Sequence, residues 1–180
     1  ILKRTATLTR PASSIAGQPQ FKTFQIPSGF QLQCGEELDN NAFLAFQTYG
    51  KLNETRSNAI LFTTCYGERS TDSSVTNLIG PDKRFDPSLY YIVTINMLGN
   101  GLSFSPTTRG TKWPLGGITY HDNAKAQRLL LRSLGVERLA LIYGFSMGAM
   151  LALEWAVQFP TLVSAVVAVC GSAKTLPANV

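Results

Sequence analysis

The segment that most restricts the fold is Leu139-Ala-Leu-Ile-Tyr143, followed by Gly144-Phe145-Ser146-Met147-Gly148 and an apolar stretch to Phe159, closed by Pro160. The first part reads as a strand buried on both faces, because it is apolar without alternation. The last part reads as a buried helix. Between Met147 and Phe159 only Glu154 and Gln158 are strongly polar, four residues apart on one stripe, while Gly148, Ala152 and Ala156 supply a small face for close packing. A strand that turns into such a helix within one or two residues forces Ser146 at the apex into strained backbone geometry and lifts its side chain off the sheet. Gly144 and Gly148 are then needed because side chains there would collide. This geometry makes Ser146 a candidate nucleophile at a helix N-terminus, with the Met147 N–H as a candidate oxyanion donor. An ordinary glycine-bearing βα turn has the same G-x-S-x-G spacing. The flanking strand and buried helix are what favour the nucleophile.

The remaining pattern fits one architecture. Ala59 to Thr64, Tyr90 to Ile95, Arg138 to Tyr143 and Val163 to Cys170 are continuous apolar or β-branched runs. Helical stretches separate them, most clearly His121 to Leu134, with Thr119-x-x-Asp122 as a capping box and Gly135 at the stop. Strands alternating with helices predict an α/β fold, a mostly parallel sheet with helices on both faces. Ahead of it, Phe21 to Pro27 and Phe30 to Cys34 are expected to pair as a hairpin around Pro27-Ser28-Gly29, and Ala42 to Tyr49 to form a further strand.

Charge and composition remove several functional classes. The formal net charge of +5 comes from 16 Lys+Arg against 11 Asp+Glu, but Lys3, Arg4, Arg10 and Lys22 all precede the first acid, Glu36. The first 35 residues thus hold four of the bases and none of the acids, mostly in a polar leader over residues 1–21, and the remainder is 12 against 11, so a nucleic-acid partner is not expected. Residues 22–180 read as the N-terminal part of the α/β domain. The leader reads as a tail, or as the remainder of an organelle-targeting segment in a chain otherwise expected in the cytoplasm. No apolar run approaches the ~20 residues of a membrane-spanning helix, so no membrane partner is expected. Cys34, Cys65 and Cys170 lie far apart with a single histidine, His121, so neither a zinc site nor a disulfide framework has its parts.

A second oxyanion donor is expected from the loop after an earlier central strand. Thr64-Cys65-Tyr66-Gly67 follows such a strand, which nominates the Tyr66 N–H, with the Cys65 N–H as its neighbour. Cys65 itself reads as a thiol lining the pocket, since nothing is spaced to activate it. Asn96 to Pro106, with Gly99 and Gly101 around Asn100, reads as a pocket wall and not a phosphate cradle, because no Lys-Ser/Thr follows. The basic face of the His121 to Leu134 helix (Lys125, Arg128, Arg132) reads as solvated. Ser146 also needs a base and an acid, in the chain order Ser, Asp or Glu, His. After Ser146 there is only Glu154 and no histidine. Glu154 projects away from the apex, and His121 precedes the serine and reads as a capping or surface residue. The triad cannot be completed within these residues. The expectation is therefore an N-terminal portion of a larger domain, or one chain of a divided enzyme.

Gln47-Thr-Tyr-Gly-Lys-Leu-Asn53, Ser57-Asn-Ala-Ile-Leu61, Asn96-Met-Leu-Gly-Asn-Gly-Leu-Ser103, Asp122-Asn-Ala-Lys-Ala-Gln127, Gly144-Phe-Ser-Met-Gly-Ala149 and Cys170-Gly-Ser-Ala-Lys-Thr175 together resemble the homoserine O-acetyltransferase-like group of α/β-hydrolases, from about residue 30 onward. The resemblance implies an α/β-hydrolase fold, incomplete here at its C-terminal side. It also implies an acyl-enzyme on Ser146 loaded from acyl-CoA (acetyl-CoA as co-substrate, no bound cofactor), discharge to a hydroxyl acceptor such as homoserine, a later helical lid, and a homodimer in many members. The acetyltransferases proper usually carry Gly-Gly-Ser-Met-Gly-Gly at the elbow and a cysteine in the preceding glycine loop. Phe145, Ala149 and the cysteine-free Gly99 to Ser103 depart from that pattern. A serine ester hydrolase on the same scaffold, or a fragment without activity, are the alternatives.

Overall fold

A computed structural model describes residues 21–108, 110 and 112–174; the basic leader up to residue 20 lies outside these. Six strands form one sheet in the order β1-β2-β4-β3-β5-β6. They are β1 (Lys22–Gln25), β2 (Phe43–Tyr49), β3 (Ala59–Thr63), β4 (Tyr91–Ile95), β5 (Leu141–Phe145) and β6 (Val166–Val169). The pairs β3/β4, β3/β5 and β5/β6 are parallel, and β1/β2 and β2/β4 are antiparallel. All five residues of β3 are buried, as its uninterrupted apolar run requires of the central strand.

Two helices, α2 (Tyr120–Ser133) and α3 (Met147–Gln158), cover one face. Leu130, Leu131, Leu151 and Trp155 join Leu61, Val93, Ile95 and Ile142 in the main core there. Trp155 is fully buried and its indole N–H donates to Gln127 Oε1 at 2.9 Å, tying α3 to α2. The other face carries the short helix α1 (Ser73–Thr76) and the segment after it. Val75, Ile79 and Phe85 pack there on Ile60, Phe62 and Ile92.

The capping box of α2 is present in both directions. The Thr119 side chain accepts from the Asp122 N–H, and Asp122 Oδ2 accepts from the Thr119 N–H at 2.9 Å. Gly135 follows with φ +79°, the left-handed stop the sequence called for. Helix α3 ends at Gln158, just ahead of Phe159 and Pro160, where the residue before proline leaves helical geometry.

Two sequence expectations change. The hairpin of Phe21 to Pro27 with Phe30 to Cys34 does not form: β1 pairs with β2, and residues 30–38 make a loop with one isolated bridge, Gln31 to Glu37. The reason is that side chains of α2 take the groups a ladder would need. Asp122 Oδ1 accepts the Gln33 N–H at 2.7 Å, and Lys125 Nζ donates to the Gln31 carbonyl at 2.8 Å. The runs from Arg138 and Val163 also start pairing late. Leu139 and Val163 share a single bridge, and regular pairing begins at Ile142 with Val166.

Candidate active site

The register of the sheet puts Thr63 at the end of β3 beside Gly144 in β5. Two residues past Gly144, Ser146 has φ +52° and ψ −118°, a conformation few L-residues adopt. The glycines at the turn are fixed by close approach. A Cβ on Gly144 would lie 2.2 Å from the Gly148 carbonyl oxygen, and one on Gly148 would lie 2.4 Å from the Thr63 carbonyl oxygen and 2.9 Å from that of Thr64. The buried Thr63 hydroxyl is 2.8 Å from the Gly148 carbonyl, so β3 braces the first turn of α3 directly.

The Ser146 N–H donates to the Val169 carbonyl at 2.8 Å, and the Ser146 carbonyl accepts from the Ala149 N–H at 3.0 Å. The Ser146 side chain caps nothing, and the Met147 N–H has no partner among the described residues. A partly exposed serine thus stands beside an unused amide at a helix N-terminus. That is the arrangement an acyl-transfer oxyanion requires.

The loop after β3 distinguishes the two amides nominated from the sequence. Glu68 Oε2 accepts the Cys65 N–H at 2.9 Å, whereas the Tyr66 N–H has no partner among the described residues. Tyr66 is 85% exposed at the rim. Burial, reinforced by the Glu68 carboxylate, pushes the Cys65 thiol up to about 11, which disfavours its thiolate at neutral pH.

The loop after β4 is a wall knitted from its own groups. The Gly99 N–H goes to the Phe104 carbonyl, the Gly101 N–H to Ser105 Oγ, and the Leu102 and Ser103 N–H groups to Asn100 Oδ1. These amides are spent inside the loop, which leaves no nest for a phosphate. Buried Asn96 joins this wall to the β3 loop: its Oδ1 accepts the Ser70 N–H at 3.0 Å, and its amide donates to the Ala45 carbonyl and to Ser70 Oγ.

His121 does not approach the serine. Its Nδ1 lies 3.2 Å from Glu154 Oε1 and 2.8 Å from Gln158 Nε2, two to three turns along α3 from Ser146. The His121 and Glu154 pair is an interhelical tie. No other acid or histidine follows Ser146 among the described residues. A polar cavity of about 330 Å³ lies elsewhere, lined in part by Glu36, Asp39 and Lys112. Its three acids are already used: Glu37 accepts the Gly29 N–H, Glu36 the Gly116 N–H and Asp39 the Lys112 N–H, and the last two bonds hold the Glu36 and Asp39 carboxyls below their ordinary values. Among the described residues no group of three or more His, Cys, Asp or Glu could hold a metal ion. No helix there is long and apolar enough to cross a membrane.

Sequence reasoning missed Glu68 and Thr63. Each acts through two side-chain hydrogen bonds, Glu68 to the Cys65 N–H and the Ser74 hydroxyl and Thr63 to the Tyr143 and Gly148 carbonyls, and neither leaves a periodic or motif signal.

A serine at a strained strand-to-helix apex, on a mostly parallel sheet, defines a class, and the chain belongs to the α/β-hydrolase fold family, which matches residues 59–180. Within that family it falls in the homoserine O-acetyltransferase-like group. It is 37% identical over 187 residues to a homoserine O-acetyltransferase of Rhodospirillum rubrum, covering 92% of this chain and 47% of that protein. It is 39% identical over 144 residues to a probable esterase of Corynebacterium glutamicum, covering 76% and 40%. Among solved structures, an acetylester hydrolase from Corynebacterium glutamicum superposes with a TM-score of 0.81 at 36% identity, covering 88% of this chain and 46% of that one. The chain therefore spans less than half the length of these relatives. They mark it as part of an α/β-hydrolase-type enzyme.

Proposed function

We propose that the protein carrying this chain is a serine acyltransferase that moves an acyl group, acetyl foremost, from acyl-CoA to the hydroxyl of a small acceptor such as homoserine. The observation that carries this is the strained Ser146 apex beside the Met147 N–H, which, like the Tyr66 N–H on the loop after β3, has no partner among the described residues. Ser146 Oγ attacks the thioester carbonyl while a base takes its proton. The carbonyl oxygen gathers negative charge between the two amides, and the CoA thiol leaves with that proton. The acceptor hydroxyl then gives its proton to the same base, attacks the acyl-enzyme, and Ser146 recovers a proton. The base and its acid are supplied from outside residues 21–174.

A second reading has its own support. Esterase relatives are as similar as the acetyltransferases, and Phe145 and Ala149 depart from the acetyltransferase elbow. Discharge of the same acyl-enzyme to water would make the protein an ester hydrolase.

The test is acetyl-CoA consumption by the full-length protein with and without homoserine, beside hydrolysis of p-nitrophenyl acetate. Acceptor-dependent turnover with ping-pong kinetics is expected. Turnover indifferent to the acceptor selects the hydrolase. Ser146→Ala is expected to lower either activity by at least about 10³-fold, as loss of a nucleophile does.

A further inference from the structure

We infer that Glu68 is the positioning residue that aims the Tyr66 N–H at the oxyanion, an inference that rests on the reading of Ser146 and Tyr66 given above. Glu68 is nearly buried, at 9% exposure, and both its carboxylate oxygens are engaged inside the protein. Oε2 accepts the Cys65 N–H at 2.9 Å, and Oε1 accepts the Ser74 hydroxyl at 2.5 Å. Its own N–H returns to the Cys65 carbonyl at 3.2 Å.

These bonds bear on one peptide unit. The Cys65 carbonyl and the Tyr66 N–H belong to the same planar trans amide and point in opposite directions. Pinning the carbonyl therefore sets the direction of the N–H. Glu68 holds that unit from both sides, its backbone gripping the carbonyl and its side chain gripping the amide one residue earlier. Gly67, at φ +68°, lets the chain turn tightly enough for Glu68 to reach back.

The loop is closed at its far end by the Ser70 N–H on Asn96, so Glu68 controls the stretch between. Ser74, in α1, anchors the carboxylate through its other oxygen. Without the carboxylate, the Cys65 N–H loses its partner, and the following peptide is held only by the 3.2 Å bond from the Glu68 N–H to the Cys65 carbonyl, which leaves it room to tilt. The Tyr66 amide would then have to be re-aimed at each turnover.

A positioning role separates kcat from KM. In the full-length protein, Glu68→Ala is expected to lower kcat about 10- to 100-fold with KM changed by less than about 3-fold, somewhat less than removing an oxyanion donor outright. Affinity for 1,1,1-trifluoroacetone, whose adduct with the serine carries an oxyanion, should fall by the same factor. Glu68→Gln keeps an acceptor toward Cys65 and a partner for Ser74, and should stay within about 3-fold of the parent in both measurements.

A merely structural role would move KM and thermal stability without this paired loss, and would overturn the proposal. So would parental kcat and inhibitor affinity in Glu68→Ala. If Glu68→Ala does not fold, Glu68→Asp, too short to reach Cys65 and Ser74 together, decides in its place. About a 10-fold paired loss supports the role, and parental behaviour ends it. Turnover that survives Ser146→Ala would instead refute the serine reading, whatever Glu68 does.

Discussion

The elbow around Ser146 and the loop over residues 64–70 meet at the end of β3 but are held by different means. The elbow is held by backbone. Its glycines leave room for carbonyl oxygens at 2.2 to 2.4 Å from where a Cβ would stand, and one fully buried hydroxyl, Thr63, braces it. The loop is held by side chains instead. Glu68, from within the loop, and Asn96, from the end of β4, hold its amides, while its outer residues Tyr66, Gly67 and Arg69 stay exposed. A backbone-built site fails as a unit when one atom is added, whereas a side-chain-built loop loses alignment in steps.

Gly144→Ala should produce the largest effect on stability. The new methyl would overlap the Gly148 carbonyl oxygen at 2.2 Å and Thr63 Oγ1 at 2.6 Å, and neither neighbour can move without shifting β3 or α3. A loss of about 3 kcal/mol or more is expected in urea unfolding, at the upper end of overpacking costs. A loss below about 1 kcal/mol would mean the elbow can relax, and the contrast between the two regions would fail.

Asn96→Ala tests the other region. It strips the partner from the Ser70 N–H, and one of two donors from the Ala45 carbonyl, which keeps the Asn96 backbone N–H, in a site with no solvent access; this should cost about 2 kcal/mol. The protein should remain folded, with kcat falling more than stability alone explains. Full activity in Asn96→Ala would show that the β3 loop holds its shape without the wall behind it.

The same difference decides what could be read from sequence. Ser146, Gly144, Gly148 and the buried strands were legible because each obeys a local rule: a turn spacing, an apolar run, or a capping box at Thr119 and Asp122 that the structure reproduces in both directions. The hairpin expected at Phe30 to Cys34 failed because its competitors, Asp122 and Lys125, are about ninety residues away. Glu68 was illegible for another reason. A lone glutamate in a loop reads as a solvated charge, and only the fold reveals that the Cys65 amide and the Ser74 hydroxyl close over it. That the Cys65 amide is already taken by Glu68 likewise could not be read before that one hydrogen bond was seen.

The smallest expected effect concerns the strain at Ser146. Its φ of +52° with ψ −118° is open to glycine but carries a penalty for any residue with a Cβ, on the order of 1–3 kcal/mol. Ser146→Ala keeps that penalty, so its stability should match the parent. Ser146→Gly relieves it, and gives back roughly 0.5–1 kcal/mol through the greater freedom of the unfolded chain. A net gain of about 1 kcal/mol for glycine over alanine is therefore expected in urea unfolding, with turnover lost in both variants. Equal stabilities would mean that Ser146 sits there without cost, and that the backbone-built elbow stores no strain at its apex.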